Sequence, residues 1–438
     1  MQTQIAPQYQ GTPDGDTAEA ILRKCVHCGF CTATCPTYQL LGDELDGPRG
    51  RIYLMKQVLE GQPPTRATQE HLDRCLTCRN CESTCPSGVQ YGHLVEVGRR
   101  LVDAQVERPL AERATRWLLK EGLTSPLFNT ALALGQAVRP LLPEVLRDKV
   151  PPRPDAATAA HAHRWPTATH ARRMLMLAGC VQPGLAPNIN AATARVLDAC
   201  GIQAVVAPKA GCCGAIRSHL NDHEGGLDDM RRNIDAWWPF IEGGSGAGAG
   251  SSAEPGVEAI VMNASGCGAT VKDYAHALAH DPAYAEKARR VGALTRDLSE
   301  LLDTLLPSLQ PVMAERVKAG RGPGDAPLVY HPPCTLQHGQ QLRGGVEAGL
   351  RALGFDVRLA PRDSHLCCGS AGTYSVLHPG LSHQLRDRKL EVLGEATAGG
   401  VPPRAIISAN VGCIQQLQSG TGVPVRHWVE VVDEVLGL

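Results

Sequence analysis

Residues 25–35 read Cys-Val-His-Cys-Gly-Phe-Cys-Thr-Ala-Thr-Cys and run into Pro36, and residues 75–85 read Cys-Leu-Thr-Cys-Arg-Asn-Cys-Glu-Ser-Thr-Cys and run into Pro86. Both stretches have one spacing, Cys-x2-Cys-x2-Cys-x3-Cys-Pro. A cubane iron–sulfur cluster needs four thiolates converging from different directions, and a tight loop with thiols two residues apart presents three of them. The fourth thiol ends a longer gap before a proline, points away, and in a two-cluster protein ligates the other cluster. The spacing therefore predicts two [4Fe–4S] clusters with crossed ligand sets: Cys25, Cys28, Cys31 and Cys85 for one, and Cys75, Cys78, Cys81 and Cys35 for the other. Crossing sets the clusters side by side in one small domain, as an electron carrier requires.

Paired Cys-x2-Cys units also build structural zinc ribbons, which is the competing reading of these thiols. Zinc sites use two pairs, whereas each run here holds three closely spaced thiols and a Cys-Pro, which favours iron–sulfur. Seventeen cysteines, behind a start (MQTQIAPQYQ) with no basic region and apolar core, point to a reducing compartment where disulfides do not persist. The expected location is cytoplasmic, with a peripheral membrane contact left open through partners. No apolar run approaches the roughly 20 residues that span a bilayer. A net charge of -1 and an aromatic content of 4% lack the basic footprint and the stacking platforms of a nucleic-acid binder.

At 438 residues the chain has the length of two or three domains. Residues 15–108 read as an α-helical ferredoxin domain. Within it, the stretch 50–59 (GRIYLMKQVL) puts Ile52, Met55 and Leu59 on one helical side, 69–74 leads into the second run in the same style, and 91–105 is again helical. Residues 109–170 comprise a Leu- and Ala-rich helical segment broken by Pro126, Pro140 and Pro143, then a Pro-, Ala- and His-rich linker. Helical apolar stripes usually face a core, so LFNTALALGQAVRPLL is expected to pack on one. His161, His163 and His170, with no cysteine nearby, are expected to be solvated.

From residue 171 onward the chain repeats itself. In the first copy, 171–325, the apolar run 174–178 leads to Cys180, a helical stretch reaches Cys200-Gly201, and the strand-like 202–208 leads to Cys212-Cys213-Gly214. In the second copy, 326–438, the run 328–331 leads to Cys334, a helix reaches Leu353-Gly354, and 355–361 leads to Cys367-Cys368-Gly369. Further strands at 259–262 and 405–408 run into Gly266-Cys267 and Gly412-Cys413. Alternating strands and helices argue for a helix-covered parallel sheet in each copy, giving an α+β multidomain fold. Functional loops sit at the carboxyl ends of such strands, so Cys180, Cys267, Cys334 and Cys413 should share one rim with the double cysteines nearby.

Each copy thus offers four thiols to a further metal site: Cys180, Cys212, Cys213 and Cys267, and Cys334, Cys367, Cys368 and Cys413. A vicinal pair closes a disulfide only with strain but can present two thiolates to a metal. A third cluster, a zinc ion and an interaction surface are all open. Cys200, matched by Leu353, is a packing residue. The glycine-rich stretch 243–256 interrupts the first copy; no strand precedes it and no Lys-Ser/Thr follows, so it reads as a surface insertion. His27 and Arg79 lie inside the cysteine loops, where they could tune a cluster or stand exposed. His331 and His365 precede cysteines of the second copy without a counterpart in the first. A core or surface role is expected for both, with metal ligation the alternative. Arg49 and Arg51 read as solvated charges at a helix start.

The wording of the two runs, the first continuing Cys-Pro-Thr-Tyr and the second Cys-Pro-Ser-Gly-Val, with Asp46-Gly-Pro-Arg-Gly-Arg51 between them, closely resembles the iron–sulfur subunits of bacterial glycolate oxidases. The carboxyl half resembles the Cys-Cys-Gly repeats shared by those subunits, anaerobic glycerol-3-phosphate dehydrogenase and heterodisulfide reductase. The resemblance covers nearly the whole chain, apart from the 151–170 linker and the glycine insertion. It implies that FAD-containing partner subunits take electrons from glycolate, and that this chain passes them towards a quinone or another acceptor without catalytic residues of its own. No strand followed by G-x-G-x-x-G is present, so no flavin or nicotinamide site is expected here.

One departure stands out. The heterodisulfide reductase repeats end in Cys-x2-Cys and hold five-thiol clusters, but Thr270 and Gln416 occupy the place of the fifth thiol here. A disulfide-type reductase is thereby disfavoured. A subunit of a lactate or glycerol-3-phosphate dehydrogenase, and a metal-stabilised scaffold, are the other competing roles.

Overall fold

The computed structural model describes residues 1–141, 150–153, 156–243 and 256–438. Most of the glycine-rich insertion, 244–255, lies outside the described residues.

The amino-terminal unit is helical. Its elements are α1 (Pro13–Lys24), α2 (Pro36–Leu41), α3 (Pro48–Leu59), α4 (Arg66–Asp73), α5 (Asn80–Thr84) and α6 (Tyr91–Asp103). The Thr12 hydroxyl accepts the Gly15 N–H at the start of α1, with Pro13 at the first helical position and Asp14 and Asp16 in the first turn. Each of these favours a helix start there. Ile52, Met55 and Leu59 of α3 are buried, as their spacing predicts, against Ala18 and Leu22 of α1 and Leu94 and Val95 of α6. Each such side chain contributes roughly 1.5–3 kcal/mol by leaving water. Gly98 of α6 faces Met55 so closely that a Cβ there would overlap the sulfur, which fixes the approach of α3 and α6.

Helices α7 (Leu110–Thr124) and α8 (Phe128–Val138) correct the expectation of core packing. The buried residue of α7 is Arg116, which donates to Asp73 at 3.1 Å, and α8 buries none. Trp117, Leu118, Leu127 and Leu134 are exposed. The segment is held by ion pairs instead, with Arg66 reaching Glu112 at 2.6 Å and Arg116 reaching it at 3.1 Å.

Two four-stranded parallel sheets follow. The first has β1 (Arg172–Met176), β2 (Ile202–Val205), β3 (Ile260–Met262) and β4 (Thr295–Asp297) in the order β2-β1-β3-β4. The second has β5 (Leu328–Tyr330), β6 (Val357–Leu359), β7 (Ala405–Ser408) and β8 (Val425–His427) in the order β6-β5-β7-β8. In each sheet the chain leaves the first strand towards one edge and returns to its other side. The switch point thus falls between β1 and β3, and between β5 and β7, where a crevice opens at the strand ends.

The two copies share one apolar core. Met174, Ile189 and Val196 of the first cluster with Leu350, Val429 and Leu436 of the second. Of the three linker histidines, His163 is exposed as expected, but His161 and His170 are anchored. His161 Nε2 lies 2.9 Å from the fully buried Asp433 carboxylate, which also accepts from Arg195 at 2.7 Å, and His170 meets Asp198 at 2.7 Å. A buried carboxylate needs partners, and those for Asp433 come from the linker and the first copy.

Candidate metal centres

The cysteine loops have an alternating backbone. His27 and Gly29 in the first run, and Thr77 and Arg79 in the second, have φ of 55°, 85°, 49° and 59°. Left-handed residues interleaved with ordinary ones turn successive N–H groups inward, the nest geometry that cradles anionic clusters. For Thr77 and Arg79 this conformation costs about 1–3 kcal/mol each. Asn80 Nδ2 donates to the Thr34 carbonyl at 3.0 Å and Thr84 Oγ1 to Thr34 Oγ1 at 3.2 Å, so the loops are stitched to each other.

Around the first loop, Cys25, Cys28, Cys31 and Cys85 line one cavity, joined by Phe30, Arg49 and Cys81. Cys28 is exposed. Burial pushes the Cys31 thiol up to about 11, with the charges of Cys25, Cys28 and Cys85 adding to it. In the second group, burial pushes Cys81 up, joined by the charges of Cys78, Cys75 and Cys35. Cys85 of the second run thus lies with the thiols of the first, and Cys35 of the first acts on Cys81 and Cys78 of the second. Among the described residues both donor sets, and the loop conformation around them, fit a [4Fe–4S] cluster.

The second group is buttressed by cation. Arg51, read from sequence as solvated, is 1% exposed. It donates to the His71 carbonyl at 2.7 Å, Thr37 Oγ1 at 3.1 Å and Asp46 Oδ1 at 3.3 Å. Arg99 donates to the carbonyls of Leu72 at 2.8 Å and Cys75 at 2.7 Å. Burial raises Cys75, yet Arg51, Arg99, the Thr77 N–H and the Tyr91 hydroxyl outweigh it and hold this thiol below its usual range. Arg49 behaves as expected of a helix start, pairing with Glu44 at 2.6 Å with both side chains partly exposed. Arg79 reaches Glu82 at 2.8 Å and approaches Asp273 of the first repeat at 3.8 Å, so it joins domains.

The repeat cysteines gather at the switch points. In the first repeat, hydrogen bonding to Cys212 and burial push Cys180 up, with Cys267 adding its charge, and Cys213 is raised by bonding to Cys212 and Cys267. Cys212 is held low by the donations of Cys180 and Cys213. In the second repeat, Cys334 Sγ and Cys367 Sγ lie 3.8 Å apart, and Cys368 contacts Cys367 and Cys413. Gly214 and Gly369 have φ of 95° and 85°. A Cβ on them would stand 2.9 Å from the Gly226 carbonyl and 2.6 Å from that of Ser382, so these glycines admit the following helix. Cys200 packs on the shared core, as expected.

The second repeat also meets the ferredoxin unit. Leu76 and Cys78 pack with Cys334, Cys367, Tyr374 and Leu385. Burial and then the charge of Cys334 push Cys78 up. Ser83 Oγ meets His338 Nδ1 at 3.0 Å, and His338 Nε2 bonds the His365 carbonyl at 2.9 Å. His338 was not singled out in the sequence, because its partner lies 255 residues away. His331 is buried with Cys368 and Cys413, the ligand atoms of all three lying within 4.8 Å of one another.

Interleaved four-thiol loops beside two Cys-Cys-Gly sites define an iron–sulfur protein of the dicluster class. Residues 21–89 match the family described as the 4Fe-4S dicluster domain, and residues 174–272 and 328–418 match that described as the cysteine-rich domain. The chain is 51% identical over 437 residues to the "Glycolate oxidase iron-sulfur subunit" of Escherichia coli strain K12, covering 100% of this chain and 99% of the relative. It is 28% identical over 425 residues to the "Probable glycolate oxidase iron-sulfur subunit" of Bacillus subtilis strain 168, covering 92% and 89%. "Lactate utilization protein A" of Geobacillus thermodenitrificans strain NG80-2 is 28% identical over 258 residues, covering 56% of this chain and 92% of the relative. The chain belongs to the family of glycolate oxidase iron–sulfur subunits.

Proposed function

We propose that this chain is the electron-transfer subunit of a glycolate-oxidising flavoprotein complex. FAD-containing partner subunits oxidise glycolate to glyoxylate, and this chain carries the electrons towards a quinone or another acceptor. The observation that carries the reading is a row of thiol sites running inward: the group at exposed Cys28, the buried group at Cys75, and the second-repeat group that starts at Cys334 beside Cys78.

The proposed ligands are Cys25, Cys28, Cys31 and Cys85 for the outer cluster and Cys75, Cys78, Cys81 and Cys35 for the inner one. When bound, each cluster supplies a one-electron carrier. The chain's own residues hold it by thiolates and inward N–H groups. Arg51 and Arg99 add positive charge beside the inner site, which favours its reduced form and draws electrons inward. Leu76, Tyr374 and Leu385 exclude water between the inner site and the second repeat. The repeat thiols hold a further metal, a cluster or zinc. The exposed apolar side of α7 and α8 supports a partner contact and, through it, peripheral attachment to the cytoplasmic face of a membrane. Among the described residues no helix is long and apolar enough to cross one.

The test is to mix the anaerobically purified chain with FAD-bearing partner subunits and follow its cluster spectrum on adding glycolate. Reduction within a turnover time is the expected result. Reduction by lactate but not glycolate would move the substrate, and fewer than about four irons per chain with bound zinc would sink the cluster reading.

A further inference from the structure

The two repeats are equal in thiols and unequal in one nitrogen. His331 follows β5 three residues before Cys334, and the matching position before Cys180 is Leu177. His331 is 1% exposed, and neither Nδ1 nor Nε2 has a hydrogen-bond partner. Leaving a buried polar group unsatisfied costs about 1–3 kcal/mol. The fold does not demand that cost, because Leu177 fills the same place in the first repeat and packs in its apolar core. The neighbouring cation does not relieve it either: Lys389 donates to the Asp363 carbonyl at 2.6 Å and reaches that of Ser364 at 3.4 Å.

The ring faces thiols instead. A ligand atom of His331 and the sulfurs of Cys368 and Cys413 lie within 4.8 Å of one another, and the contacts continue through Cys367 to Cys334. Asn410 Nδ2 donates to Cys413 Sγ at 3.6 Å. Gln416, at the place of the missing fifth thiol, is turned away, its amide donating to Ser382 Oγ at 2.8 Å and to the Ser382 carbonyl at 3.1 Å. The nitrogen nearest these sulfurs thus stands at the end of β5, while the helix Val411–Gln418 that carries Cys413 offers no further thiol.

We infer that His331 is a ligand of the second-repeat metal centre, joining Cys334, Cys367, Cys368 and Cys413 through an imidazole nitrogen. The inference rests on the proposal that these thiols hold a metal. A neutral ring carries a lone pair and no charge, so the site has one anion fewer than a five-thiol set. Replacing thiolate by imidazole raises the potential of an iron–sulfur centre. The second repeat would then be the more readily reduced of the two, at the inner end of the row.

Metal content of the full chain, purified anaerobically, selects the readout. Iron beyond the about eight of the ferredoxin pair directs it to pulsed EPR of the reduced protein carrying nitrogen-15 histidine. Zinc directs it to X-ray absorption at the zinc edge. The expected result is a directly bound histidine nitrogen, lost in His331→Leu and in His331→Cys, with the ferredoxin signals unchanged and metal retained in His331→Cys. An all-sulfur centre in the natural protein, or a nitrogen signature that survives both variants, overturns the inference while leaving a metal-bearing repeat intact. A chain with eight irons and no zinc overturns the underlying proposal and the inference together.

Discussion

The two Cys-Cys-Gly repeats have one topology and two neighbourhoods. Strand order, switch point, four thiols and a left-handed glycine recur in each. Around the first site, Tyr274 donates to the Cys213 carbonyl at 2.9 Å and Asn233 to that of Cys212 at 2.7 Å, and Gly266 beside Cys267 donates to Asn410 of the second repeat at 3.2 Å. At the second the ferredoxin unit intrudes, with Leu76 and Cys78 pressing on Cys334 and Cys367, and the repeat's own His331 stands where the first has Leu177. One topology carries the same four thiols twice, and what lies against the sheet's carboxyl edge differs between them.

The largest expected effect tests the contact itself. Cys78→Ser should remove the inner cluster, taking the ferredoxin iron from about eight to about four per chain, and abolish glycolate-driven reduction of an acceptor. Cys212→Ser should leave both unchanged; iron analysis with turnover decides. Next, Cys368→Ser should slow turnover by at least roughly tenfold, about 1.4 kcal/mol in the barrier, whereas Cys213→Ser should leave it near normal. Equal losses at both repeats would erase the comparison. Arg51→Gln should lower the inner cluster's potential by on the order of 50 mV, from one screened charge at close range. Arg49→Gln, at a half-exposed site, should barely move the outer one, and an EPR-monitored redox titration reads both. Gly214→Ala and Gly369→Ala should each cost roughly 1–3 kcal/mol from the left-handed backbone, seen as earlier thermal inactivation, because both glycines admit a helix carbonyl.

The smallest effect concerns pH. His93 of α6 bonds Asp273 of the first repeat at 2.8 Å and stacks on His276 with ring centroids 3.6 Å apart. Burial lowers the His93 pKa, but the Asp273 carboxylate outweighs it and holds the imidazole above its ordinary 6.5; Arg79 opposes. Burial likewise raises Asp273, and His93 and Arg79 outweigh it and hold it below its ordinary 3.8. The His93 contribution is therefore complete below about pH 6.5 and lost as pH rises through the raised value. That of Asp273 is present above about pH 4 and lost as pH falls through the lowered one. Docking of the ferredoxin unit on the first repeat should weaken as pH rises through the raised His93 value, and His93→Gln should flatten that dependence in amide hydrogen exchange of α6.

Much of this was legible because it is local. The cysteine runs declare their ligands through covalent reach, and the side of α3 bearing Ile52, Met55 and Leu59 follows from helical period alone. The strands β4 and β8 were missed because each is three residues long with an arginine at its centre. A usable signal was present: Asp297-x-x-Glu300 is a capping box, and His427 and Glu430 form another. Arg51 and His161 were misread as solvated because their partners, the Cys75 site and Asp433, are brought in by tertiary structure. The apolar side of α8 misled for the opposite reason, since helical patterning cannot tell a face that meets a core from one that stays exposed. His331 was visible, but Cys368 and Cys413 reach it from other strands.

The shared core has a consequence for how the protein is made. Ile189, Val196 and Leu197 of the first repeat are covered by Trp428–Leu436, the helix after β8. On the ribosome the first repeat emerges with that apolar surface bare, and it stays bare until the second repeat has been synthesised. Such exposed surface is what chaperones bind. Closure of the two sheets on each other therefore belongs late in biogenesis, after that last helix has been synthesised.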